Sequence, residues 1–256
     1  MRLHYPVRIG IAALAVTAAL AAASVLPAMA ASTPSAGPSA SPSASPTPGG
    51  CTGSVSAILA CIDQRASTAV SGRETAIQQM TADVNKSADI AASDKSNLLG
   101  QLQADASGLT ALLVTIKSDT TVTKALADTE TIVTGYRIYL LQEPKVHLVI
   151  AADTEGTIRS NLSSKLPSIQ TAINNSKASA SQKAAAQTAF NDCTAQLAAA
   201  QSASSGIVSD VINLLASGYP GNQPTLASAK DQAQTARTDL GKCRTDLQTI
   251  KSDLSS

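Results

Sequence analysis

The chain has no tryptophan, one phenylalanine and four tyrosines in 256 residues, so its core has to be built from aliphatic side chains and alanine. No strand-length run alternates β-branched or aromatic residues with polar ones, which argues against a β core. Only Pro144, Pro167, Pro220 and Pro224 follow residue 50, leaving long stretches with nothing to interrupt a helix. Histidine is nearly absent: His147 is the sole imidazole after the first thirty residues. With no CxxC pair, a His/Cys metal site has too few ligands.

The signatures GxSxG, HExxH, a Gly-rich loop ending in GK[ST] and the EF-hand loop are all missing. After the first thirty residues only Glu74, Glu130, Glu143 and Glu155 supply glutamate carboxylates, and they are too scattered to suggest a paired-carboxylate centre. The expectation is a protein that is not an enzyme, needs no cofactor and binds no metal.

What is present begins with an address. Arg2, His4 and Arg8 precede an apolar stretch from Ile9 to about Leu26, and Ala28-Met29-Ala30 follows; charged region, apolar region and small-residue cleavage site are the order of a secretory signal peptide, 1–30. Its removal takes two of nineteen basic residues and none of eighteen acidic ones, leaving a net charge of −1. Near-neutral charge with both signs interspersed gives no footprint for nucleic acid. No later segment has the length and apolarity to span a membrane.

Residues 31–50 are a Ser/Ala/Pro run, ASTPSAGPSASPSASPTPGG, expected to be a disordered linker. The helical domain then occupies 51–256. Its four cysteines, Cys51, Cys61, Cys193 and Cys243, are an even number in an exported chain and are read as disulfides. The expected location is secreted or envelope-associated, with an envelope or extracellular partner.

Helical periodicity dominates the domain. Leu99, Leu102, Ala106, Leu109, Leu113 and Ile116 fall on one stripe. Phe190, Cys193, Leu197, Ala200, Ser204, Ile207, Val211 and Leu214 form another, and Leu226, Ala229, Ala233, Ala236, Leu240, Cys243, Leu247, Ile250 and Leu254 a third. These are coiled-coil-like seams, which could pair between two copies as readily as within one.

Breaks at 92–94, 117–119, 142–144, 176–181 and 217–222 predict six helices near 54–91, 94–117, 120–141, 144–176, 181–217 and 222–254, with Pro167 kinking or splitting the fourth. Short connections make neighbours antiparallel. The fold class is all-α: helical hairpins in a bundle or an elongated array. A hairpin turning near residue 218 superposes Cys193 on Cys243, both on apolar stripes, and predicts their bridge. By elimination Cys51 pairs with Cys61. Ten residues of helix would hold them about 15 Å apart, so the pairing requires Thr52-Gly53-Ser54 to loop back.

The segment from Ile132 to Asp153 is the least generic. It holds Tyr136, Arg137, Tyr139, Lys145 and His147, and a turn near residue 143 would make Tyr139 and His147 cross-hairpin neighbours. Together the five residues are the candidate small-ligand site. The motif Thr134-Gly135-Tyr136-Arg137-Ile138-Tyr139, then Pro144-Lys145-Val146-His147-Leu148-Val149-Ile150-Ala151-Ala152-Asp153, occurs with Tyr219-Pro220-Gly221-Asn222 and Ala236-Arg237-Thr238-Asp239-Leu240. This combination resembles a family of uncharacterised secreted helical proteins of actinobacteria and related bacteria. The resemblance implies secretion and an all-helical fold, and assigns no activity. Leu141-Gln142-Glu143 departs from the more apolar run of that family.

The expectation is therefore a non-enzymatic exported interaction or spacer module, with small-ligand binding at the Tyr/His patch as the alternative.

Overall fold

The computed structural model describes residues 50–255; the expected signal peptide, and all of the Ser/Ala/Pro linker except Gly50, lie outside them. The described chain is all-α, with no strand among the described residues.

Helix α1 runs Val55–Lys86, α2 Ala92–Ser118 and α3 Val122–Thr134. A π-helical turn, Ile138–Gln142, leads directly into α4, Glu143–Ser163, and α5 follows at Leu166–Asn175. Helix α6 spans Ala180–Ser204, the short α7 Ile207–Val211 and α8 Gln223–Ser255, with a 3-10 turn at Ala216–Gly218 between the last two.

Local chemistry explains where these helices start. Ser54 caps α1 by accepting the Ala57 N–H, and Ser179 with Gln182 forms a reciprocal capping box at α6. Helix α2 has no side-chain cap of its own; Asp153 of α4 accepts the Ala91 N–H at 3.0 Å. An acceptor there satisfies a donor that helix geometry leaves without a partner.

Three of the expected boundaries are corrected. The first helix ends at Lys86 rather than 91. The third stops at Thr134 because the chain turns a corner at Gly135–Arg137, where Arg137 sits in the left-handed region at φ 48°. The fifth ends at Ser204, and Gly206 leads into α7. Pro167 divides the fourth as expected: the helix stops at Ser163 and resumes at Leu166, with the proline in the first turn of α5.

The turn expected near residue 143 is absent. Leu141 and Gln142 donate to the Arg137 carbonyl at 2.8 and 3.4 Å, and helical structure passes through Pro144 without reversing. Pro144 directly follows the π turn, which closes on the Glu143 N–H bonded to the Ile138 carbonyl, and it occupies the first turn of α4 without breaking the helical path.

Helices α6 and α8 make the most extensive pairing in the fold. They are antiparallel and joined by Cys193–Cys243, whose Cα atoms are 4.1 Å apart. Cys51 also bonds Cys61 across a Cα distance of 5.8 Å. That is reachable because helix begins only at Val55, and Gly53 at φ 118° turns the preceding chain back.

The core is divided among three apolar clusters. The largest joins α1, α2, α3, the π turn, the first half of α4, α7 and the start of α8. A second surrounds Cys193–Cys243 with Leu197, Ala200, Ala236 and Leu240, and Ile158 and Leu162 from the second half of α4 pack against it. A third gathers Ile173, Ala186, Ala189 and Ile250. Helix α8 passes through all three. Its stripe carries alanine at 229, 233 and 236, and each of these buries little apolar area.

Candidate functional site

The stripe Leu141, Lys145, Leu148, Ala152 and Glu155 advances in steps of 4, 3, 4 and 3 along the inward face of the π turn and α4, and all five residues are buried. Two of them carry charge. Each of these two is the centre of a buried polar group.

Lys145 is fully enclosed, at 0% exposure. Its ammonium donates to Gln101 Oε1 of α2 at 2.5 Å and to the Leu214 carbonyl at 3.0 Å. The Gln101 side-chain amide donates in turn to the Ile212 carbonyl at 2.8 Å and to Asn97 at 2.7 Å. Asp105, one turn beyond Gln101, interacts with Lys145 through charge and accepts a hydrogen bond from Gln142. Asp105 Oδ2 has no hydrogen-bond partner. Burial pushes the Asp105 carboxyl up to about 6, against the pull of Lys145 and Gln142. The same burial brings the Lys145 amine down to about 8, against the pull of Asp105.

Glu155, at 4% exposure, is the second centre. Arg237 Nε of α8 lies 3.4 Å from Oε1, and neither carboxylate oxygen has a hydrogen-bond partner. At that distance the guanidinium supplies charge without a well-formed hydrogen bond. Desolvation dominates, and the carboxyl rises to about 7.

The structure does not bring the five residues expected as a ligand patch together in one place. Lys145 is in the core, while His147 lies on the exposed side of α4. Tyr139 is 47% exposed, with the Arg73 guanidinium of α1 5.5 Å from its ring centroid. Because helical structure is continuous, Tyr139 and His147 are separated by eight residues along one axis, about 12 Å, instead of facing each other across a hairpin. Tyr136 lies against α2 at Gly108, where an added Cβ would fall 2.5 Å from its hydroxyl oxygen; burial and Asp105 raise its phenol. Arg137 turns the other way and stacks on Tyr219, 4.6 Å from the ring centroid.

The sequence segments that seemed least generic thus meet pairwise rather than in one pocket. The corner Tyr136-Arg137 reaches the Tyr219-Pro220 turn, whose peptide bond is cis, and Glu155 meets Arg237. Reading for exposed chemistry missed Gln101, Asp105, Gln142, Glu155 and Arg237. The available signal was a charge on an apolar stripe, as Lys145 and Glu155 show, or beside one, as Asp105 lies between Leu102 and Leu109. Among the described residues no three His, Cys, Asp or Glu side chains are placed to hold a metal ion.

Comparison with protein-family models, curated proteins and solved structures returns no match for this chain. The described chain is all-α and carries two disulfides, which suit an oxidising, extracytoplasmic setting, and no described helix is long and apolar enough to cross a membrane.

Proposed function

We propose that this protein is exported by cleavage of residues 1–30 and acts without catalysis as an interaction or spacer module in the cell envelope or outside it. Residues 31–50 set its reach. One observation carries the reading: α8, a single helix of 33 residues, runs through all three core clusters and is covalently stapled to α6. A helix of that length extends about 50 Å. The enclosed Lys145 ammonium bonds Gln101 and the Leu214 carbonyl of the protein itself, which supports a role in holding shape over one in processing a substrate.

Fractionation of cells expressing the tagged full chain, with and without residues 31–50, tests this reading. The full chain is expected in the wall or membrane fraction, with retention altered when 31–50 is deleted. Free release of both forms into the medium would sink the envelope assignment.

A further inference from the structure

Between α6 and α8 the chain from Ser205 to Asn222 is not a simple turn. It contains α7 and the 3-10 turn, and α7 packs on α4 and on the start of α8. Its inward side chains Ile207, Val211 and Ile212 are buried in the cluster that also holds Val146 and Val149 of α4. Polar ties hold it at separate points: Gln101 on the Ile212 carbonyl, Lys145 on the Leu214 carbonyl, and Arg137 on the Tyr219 ring. All three tying side chains come from the other half of the chain, α2, α4 and the corner before the π turn. The disulfide that fastens α6 to α8 lies at Cys193–Cys243, outside this segment.

We propose that residues 205–222 form a strap held down by the Gln101–Lys145 latch, which can lift as a local unit while the stapled α6–α8 hairpin stays intact. The physical argument is one of unequal dependence. Helices α6 and α8 are held by their own backbone hydrogen bonds, a continuous apolar seam and a covalent bond. Strap residues 212–215 lie between helices, and two of their carbonyls depend on side chains of α2 and α4 for partners. In the lifted state water supplies those partners. Removing the ammonium therefore leaves the Leu214 carbonyl and Gln101 Oε1 unsatisfied only when the strap is down, which shifts the balance toward lifting. Lifting uncovers the apolar surface of α4 that α7 covers.

Hydrogen–deuterium exchange of the full mature protein, disulfides intact, tests the strap at a single pH in the wild type, Lys145→Met and Gln101→Leu. Both variants should lower protection across 207–219 by roughly tenfold or more, the scale of one hydrogen bond to a charged group. Residues 186–200 and 233–250 should keep wild-type protection. Equal loss in all regions, or no change at 207–219, overturns the proposal. If neither variant folds, exchange of the wild type in graded, sub-denaturing urea decides. Opening of 207–219 at a lower free energy than 186–200 and 233–250 supports the strap, and a common opening of all three refutes it.

Discussion

Glu155→Gln should stabilise this protein at pH 8. The carboxylate is buried between α4 and α8, its oxygens lack hydrogen bonds, and the single counterion is Arg237 at 3.4 Å. Burial lifts its pKa from 4.5 to about 7, so between these values the folded state holds a proton that the unfolded state has released. Stability therefore falls as pH rises from 4.5 to 7, and the cost is complete above the folded value. Such a displacement is worth at most about 3 kcal/mol. The Arg237 side chain is 65% exposed and the site is partly screened by water, which brings the expected figure to about 1–2 kcal/mol. Urea denaturation at pH 4.5 and pH 8 measures it: the neutral amide should gain that amount over wild type at pH 8 and match it at pH 4.5. A glutamine variant less stable than wild type at pH 8 would show that the Arg237 pair contributes net stability and that desolvation does not dominate.

Replacing Cys193 and Cys243 by serine releases a cross-link with sequence separation 50, and the chain-entropy model expects a loss of about 4 kcal/mol; an unchanged denaturation midpoint would refute that. Gly108→Ala removes a glycine from the interior of α2 but directs a Cβ into the Tyr136 ring. It should destabilise the wild type and stabilise a Tyr136→Ala background by about 1 kcal/mol, and the same sign in both backgrounds would disprove the contact. Arg137→Ala keeps the left-handed backbone cost and loses the Tyr219 stack, an expected loss of about 1 kcal/mol. Arg137→Gly relieves the backbone and should fall close to wild type in thermal denaturation.

Much of the architecture was legible because it rests on short-range rules. The apolar stripes at 3.6-residue spacing located the helices, and the midpoint of Cys193 and Cys243 at residue 218 announced their bridge. Boundaries failed where long-range contacts intervened. Residues 120–141 read as one helix, yet the chain leaves helix at Gly135 so that Tyr136 can reach α2 while Arg137 reaches Tyr219. Pro144 read as a turn, yet in the first turn of α4 it needed no break. The expected contact of Tyr139 with His147 is absent for the same reason: without a reversal at 143 they have no cause to meet.

Helix content and the cysteine pairing are written in composition and period, which depend only on neighbours along the chain. The roles of Lys145, Asp105 and Glu155 are not. A charge on an apolar stripe reads alike whether it snorkels to water or is sealed inside, and the difference lies in residues 44 and 69 positions away, Gln101 and Leu214. Only the packed structure brings those partners to the ammonium, because desolvation and hydrogen bonding act through space and are indifferent to sequence distance.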